Sequence, residues 1–316
     1  MADEAHNGVP LDAARVFVDI GDIPQGVFRE HPNVIEVICH EDVKKIGYGS
    51  FIICPRLRRV IIPGVTVIDG FAFGNCSVLS DVECDKLEII KEGAFYFCES
   101  LRSINLPSAR VLEEGSFAMC DVLTDVKFGS KLERIDSIAF GKCTNLERIT
   151  IPLKDGIITS DDVFQACQNL NQVHLVEGEV QASIASLQLE EWRIDMNREI
   201  DLINQILPHT RAGEHNDEND TGAKTQVIRT WIRSVIDKMN HYKAEHHRLL
   251  NEAATLLELA IWKANLDENN GGRTMSVRDG VRTTRGSVKR ARRELCVTSG
   301  ASIVIKNVLP FLELKS

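Results

Sequence analysis

Seven phenylalanines stand at nearly equal intervals in the first half of the chain: Phe28, Phe51, Phe73, Phe95, Phe117, Phe140 and Phe164, spaced by 22 to 24 residues. Each brings the same company. Three residues on come Cys54, Cys76, Cys98, Cys120, Cys143 and Cys167, with His31 in the first unit. Six on come Val34, Leu57, Leu79, Leu101, Leu123, Leu146 and Leu170, and nine on come Val37, Val60, Val82, Ile104, Val126, Ile149 and Val173. Eleven on stand Cys39, Ile62, Cys84, Leu106, Phe128, Ile151 and Leu175. Five before the phenylalanine sits Ile23, Ile46, Ile68, Ile90, Leu112 or Ile135, and the seventh unit alone shifts this residue to Ile158.

These offsets have a direct physical reading. Steps of three from phenylalanine to cysteine to leucine keep one side inward on a helical or 3-10 turn, and the final step of two is strand alternation. Each unit is therefore expected to be a short turn plus a short strand. So small a unit cannot bury its own apolar side, and stacked neighbours must close the core, for which about three repeats suffice. Strand pairing spaces such coils about 4.8 Å apart, which makes seven of them a slab on the order of 30 Å long. The cysteines occur one per coil at constant phase, whereas a zinc site gathers four ligands at one point, often as closely spaced pairs. We expect them to be small buried hydrophobes and free thiols, with no metal or disulfide role.

The recurring I-x-x-x-[AS]-F-x-x-C-x-x-L-x-x-[VI]-x-[ILFC], as in IDGFAFGNCSVLSDVEC and IDSIAFGKCTNLERITI, resembles the BspA-like leucine-rich repeats. That family is common in bacterial surface proteins and in protists, and with its helical C-terminal region this chain resembles the diatom and protist type. The resemblance covers about residues 16 to 176. It implies an α/β leucine-rich-repeat solenoid of about seven turns, used for protein binding and not tied to a particular reaction. Two departures lie at the ends, where His31 replaces the cysteine and IPLKDGIITSDDVF carries extra residues. Terminal repeats are commonly atypical caps.

If the array binds a partner, the strand residues flanking the inward positions form the surface. One column is Glu36, Arg59, Asp81, Ser103, Asp125, Arg148 and Gln172; the next is Ile38, Ile61, Glu83, Asn105, Lys127, Thr150 and His174. They share no chemistry, which fits an irregular protein surface better than a repeating polymer, with a merely solvated strand face as the alternative.

After Val176 the period changes. In QASIASLQLEEWRIDMNREIDLINQIL, Trp192, Met196, Ile200, Ile203 and Leu207 form one apolar stripe, so a helix is expected over roughly 181–207, stopped by Pro208. A second helix is expected from about Thr225 to Leu266, where Ile228, Ile232, Val235, Met239, Tyr242, His246, Leu249, Ala253, Leu256 and Ala260 alternate steps of four and three. This makes an all-α hairpin or coiled-coil-like region, closed within the chain or completed by a homodimer through the Ile228–Ala260 stripe. The expected organisation is a flexible N-terminus (1–15), a solenoid (16–178) and a helical domain (179–316). The last contains a polar loop at 208–224 and a basic segment at 273–296.

In that segment Arg278, Arg282, Arg285, Lys289, Arg290, Arg292 and Arg293 cluster around KRARR, a pattern suited to nuclear localisation or to phosphate contact. Against a nucleic-acid role stand the absence of stacking aromatics there and a net charge of -9 for the chain. The opening MADEAHNGVPLDAARVF lacks the apolar core of a signal peptide, so an intracellular protein, cytoplasmic or nuclear, is expected. No run of about 18 apolar residues suggests a membrane span, though the final ASIVIKNVLPFLEL is apolar enough to dock on the helices. GYGSF at Gly47 lacks the further glycine of a nucleotide loop, and His241, Glu245, His246 and His247 lack the His-Glu-x-x-His order of a zinc protease. No cofactor is expected, and nothing points to an enzyme.

Overall fold

The structure, a computed structural model, describes residues 14–19, 21–176, 178–187, 189–211 and 222–270. In chain order its strands are β1 (Arg15–Val18), β2 (Glu36–Cys39), β3 (Lys45–Ile46), β4 (Arg59–Ile61), β5 (Val67–Ile68), β6 (Asp81–Glu83), β7 (Ile89–Ile90), β8 (Ser103–Leu106), β9 (Val111–Leu112), β10 (Asp125–Phe128), β11 (Arg134–Ile135), β12 (Arg148–Ile151) and β13 (Gln172–Leu175). All their pairings are parallel. On one side β1, β2, β4 and β6 form a sheet, followed by a second sheet of β8, β10, β12 and β13; on the other side run β3, β5, β7, β9 and β11. The chain is thus a solenoid of about seven turns, with a helical region after it.

Two strands per coil is more than the sequence suggests. The residue five before the phenylalanine, read only as a core position, closes a two-residue strand of the β3–β11 sheet in five coils, and Ile23 and the displaced Ile158 reach Ile46 and Ile135 as isolated bridges. Strands of two residues are too short to show alternation, so their pattern is invisible. Of the expected helical or 3-10 turn, the 3-10 pattern of bonding is the one present. Steps of three arise from successive i to i+3 bonds, such as Ala72 N–H to Asp69 O, Cys76 N–H to Phe73 O and Leu79 N–H to Cys76 O. Left-handed residues break them before they become a helix. Glu30, Ile53, Asn75, Phe97, Met119, Lys142 and Ala166, each two past its phenylalanine, all have φ between 57° and 61° apart from Glu30 at 56°.

The core follows the offsets. The seven phenylalanine rings stack along the axis with centroids 4.9, 5.4, 5.4, 5.0, 5.6 and 5.8 Å apart and planes within 13° of parallel. Beside them runs a ladder of thiols. Cys54, Cys76, Cys98, Cys120, Cys143 and Cys167 each donate S–H to the carbonyl of the phenylalanine one coil earlier, at 3.1 to 3.3 Å. All eight cysteines among the described residues are buried free thiols.

Helices α1 (Glu179–Ala185), α2 (Glu190–Ile206) and α3 (Ala223–Asn270) follow. The single helix expected over 181–207 is therefore two. Ser186 turns its hydroxyl back to the Ser183 carbonyl at 2.6 Å, the local competition by which serine ends helices, and Glu190 and Glu191 open α2, where the helix dipole favours acids. Pro208 lies in a 3-10 turn over Leu207–His209.

Two compact units result: 1–182 with 196–237, and 183–195 with 238–316. In the first, the part of α2 from Met196 on and the start of α3 finish the solenoid. The buried Lys224 ammonium donates to Gln168 O and Leu170 O, both at 2.7 Å; Thr225 Oγ1 accepts the Phe164 N–H at 3.2 Å; and Asn204 Oδ1 accepts the Val173 N–H at 2.8 Å. In the earlier coils the phenylalanine N–H goes to the next coil, as from Phe140 to Val163 O. Here a helix stands in for the missing coil. In the second unit Trp192 stacks on Tyr242 at 5.1 Å, and Asp195 accepts the Tyr242 hydroxyl at 2.5 Å and pairs with Lys238 at 3.0 Å.

Candidate protein-binding face

Parallel pairing turns the sequence columns into real ones. Glu36, Arg59 and Asp81 are register partners across β2, β4 and β6, and Ser103, Asp125, Arg148 and Gln172 across β8, β10, β12 and β13. One residue pair further along, Glu83 stands beside Ile61, and Asn105, Lys127, Thr150 and His174 follow one another. Alternate residues point to the two sides of a strand, so Val37, Val60, Ile104, Val126, Ile149 and Val173 are buried while these columns face outward. All twelve sequence candidates therefore lie on one side of the coil. They do not form one unbroken ladder, because β6 and β8 belong to separate sheets.

The first sheet carries a charge ladder. Arg59 lies 3.0 Å from Asp81, 2.5 Å from Glu83 and 3.7 Å from Glu36, and Arg15 closes the row at 2.9 Å from Glu36. The bond that Arg59 donates to the Glu83 carboxylate holds its guanidinium above its ordinary pKa. On the second sheet of the face, Asp125 pairs with Arg148 at 3.5 Å and Lys127 at 3.6 Å. Opposite, on the β3–β11 side, burial pushes the Asp69 carboxyl up but hydrogen bonds from Lys45, Lys91 and the Gly70 N–H outweigh it and hold the carboxyl down at about 2.

Several surface residues escaped the sequence columns. Arg15, read as part of a flexible N-terminus, is the first residue of β1, whose Val16 is buried and whose Phe17 is 60% exposed beside Ile38. Val16 extends the inward column of Val37 and Val60, a signal hidden because no phenylalanine precedes it at the usual offset. Arg58, Ser80 and Arg102, seven past their phenylalanines, line a shallow depression with Val78, Glu99, Ser100 and Val122. Among the described residues no three His, Cys, Asp or Glu side chains are placed to hold a metal ion, and no helix is long and apolar enough to cross a membrane. The stripe on α3 is buried at Ile228, Ile232, Val235, Met239 and Ala253, while Leu256, Leu259, Ile261, Trp262 and Leu266 are exposed. The basic residues from Arg278 to Arg293 and the apolar ASIVIKNVLPFLEL lie outside the described residues.

The repeat is matched by the family description "BspA type Leucine rich repeat region (6 copies)" over residues 21–111 and 88–190, more than half of the chain. The chain belongs to the BspA-type leucine-rich-repeat family. Solved structures similar to this BspA-type array include a leucine-rich-repeat protein of T. pallidum, with 23% identity and a TM-score of 0.38, the match covering 51% of this chain and 70% of that one. A leucine-rich-repeat protein from Bacteroides ovatus matches with 25% identity and a TM-score of 0.40, over 52% of this chain and 42% of that one. The pneumococcal vaccine antigen PcpA matches with 14% identity and a TM-score of 0.39, over 54% and 56%. The chain thus spans less than two thirds of the last two. No curated protein matches it.

Proposed function

We propose that this chain is a non-catalytic protein-binding module whose partner docks on the outward columns of β2 to β13. The observation that carries this reading is the register. Parallel pairing holds Arg59 beside Asp81, Asp125 beside Arg148 and Thr150 beside His174, so chemically unlike side chains are presented at fixed spacing on a stiff surface. Preorganisation of that kind lowers the ordering cost of association. The test is capture of partners by the full chain and by the variants Asp81→Arg/Glu83→Arg and Asn105→Arg/Lys127→Glu. Loss of the same partners from both variants, with unchanged melting, supports the reading; retention of every partner by both overturns it.

The helical region serves assembly in this proposal, as a homodimer through α3. Exposure rises along that helix to 63% at Trp262, beside Leu259 and Leu266. Leu259→Glu/Trp262→Glu should then convert a dimer to a monomer in a molar-mass measurement, and a monomeric parent chain would remove the dimer. A reducing, intracellular setting suits the six thiols that donate to backbone carbonyls, because disulfides would abolish those bonds.

A further inference from the structure

Coils of this solenoid are tied where each enters the binding face. Arg58 and Arg59 N–H bond to Ile35 O, Ser80 and Asp81 N–H to Arg58 O, Thr124 N–H to Arg102 O, Glu147 and Arg148 N–H to Thr124 O, and Asn171 and Gln172 N–H to Glu147 O. One rung is missing among the described residues. Neither Arg102 nor Ser103 bonds to Ser80 O, and it is here that β6 and β8 part into separate sheets. The shallow depression of about 360 Å³ lies over this gap. Half-buried Val78, Ser100 and Val122 lie between exposed Arg58, Ser80, Glu99 and Arg102.

These two arginines, like exposed Arg56, lack the ion pairs that most arginines of the solenoid make. Arg15, Arg29, Arg59, Arg110, Arg134 and Arg148 all pair with carboxylates. Arg58 and Arg102 have no side-chain hydrogen bond or ion pair with any described residue, in a chain with nine more acids than bases. They are two coils apart, on the order of 10 Å, which lets both long side chains close on one group. A guanidinium fork matches carboxylate and phosphoryl oxygens bidentately, and on the coil between them the Ser80 hydroxyl donates to Arg58 O at 3.4 Å.

We infer that this depression binds an oxyanion-bearing side chain, carboxylate or phosphoryl, of a peptide segment of the partner, with Arg58 and Arg102 as the two clamps. The inference rests on the protein-binding reading and names the chemistry of the partner. A peptide is favoured over a free anion because Val78 and Val122 offer apolar contact and the missing rung leaves the Ser80 carbonyl and the Arg102 N–H without the bond that other coils make there, the groups an extended chain would use. Glu99 on the rim and the net charge of -9 oppose a long phosphate polymer, so nucleic acid is disfavoured.

The experiment uses the full chain on an array of nine-residue peptides whose central residue is phosphoserine, glutamate or serine in matched sequences. Peptides with a central phosphoserine or glutamate should bind at least tenfold more tightly than their serine counterparts. Arg58→Gln and Arg102→Gln should each reduce that preference severalfold and together abolish it, while Arg110→Gln leaves it intact. Comparison of phosphoserine with glutamate tells which oxyanion is the better fit, and either supports the site. Equal binding of all three sets, survival of the preference in the double variant, competition by inorganic phosphate as potent as that by the peptides, or tighter retention of single-stranded DNA would each overturn it. If partner capture fails in the Asp81→Arg/Glu83→Arg and Asn105→Arg/Lys127→Glu variants while the array shows no charge preference, the module stands and only this clamp falls.

Discussion

At each ladder position the cysteine supplies something that alanine or valine would not. The Phe73 carbonyl accepts the Cys76 N–H within its own coil at 3.3 Å and the Cys98 thiol of the next at 3.3 Å, so both of its lone pairs are used. Cys39 is as buried but makes no such bond, which separates packing from bonding. We expect Cys98→Ala to cost about 1–3 kcal/mol and Cys39→Ala about 1 kcal/mol less, because only the former also leaves a buried carbonyl short of a donor. Urea unfolding of the two variants checks this, and equal losses would assign the ladder to packing alone. Burial also pushes the thiols of Cys39, Cys84 and Cys167 from 9.0 to about 12. The neutral form is the one the fold prefers, so this stabilisation is complete below pH 9 and drains away between about 9 and 12. Asp69 works in the opposite sense: its carboxyl is held at about 2 against 3.8, so its contribution is complete above about pH 4 and is lost as pH falls toward 2. Melting temperature against pH should therefore fall on both limbs, and Asp69→Asn should flatten the acid limb alone. His31 shows the same logic at the first coil. With no earlier phenylalanine carbonyl to reach, its Nδ1 accepts the Asn33 N–H and its ring packs edge-on to Phe28.

Among the elements, the inward residues of the main strands were legible because each sits at a fixed offset from a phenylalanine. The left-handed turn position was not. Glu, Ile, Asn, Phe, Met, Lys and Ala all occupy it, so glycine nowhere and asparagine only once betray a conformation that side chains resist by about 1–2 kcal/mol. Gly93 shows what a marked position looks like. Its φ is 57°, and a Cβ there would sit 2.4 Å from the ring of Phe71. The helical cap was equally hidden, since Lys224 and Thr225 lie far in sequence from the carbonyls and N–H they satisfy. A charged donor to two buried carbonyls contributes about 1.5–3 kcal/mol. Lys224→Ala should therefore raise amide exchange at least tenfold across residues 164–175 and leave the coils around Phe51 and Phe73 protected. Uniform change along the solenoid would show that the cap has no local role.

For the whole molecule, the change of period near Val176 marks where repeats end but not where the first compact unit ends. Sequence reasoning could place the outward columns, since their phase follows from the strand offsets. It could not see that the ladder breaks between Ser80 and Arg102, because a broken rung depends on backbone geometry and leaves the side-chain pattern unchanged. The same applies to the end of the solenoid. Residues 196–237 belong to the unit that holds the coils, and Asn204, Lys224 and Thr225 cover the groups that β13 and the seventh turn would otherwise expose. An open parallel edge with unpaired N–H and C=O groups is a template for association with other chains. A chain cut after Val176 should therefore aggregate or unfold at low denaturant, whereas one cut after Asp237 should unfold in a single cooperative step. Light scattering and urea unfolding of the two shortened chains distinguish the outcomes. A monomeric 1–176 as stable as 1–237 would mean that the last coil seals itself and that α2 and α3 are appended to a finished solenoid.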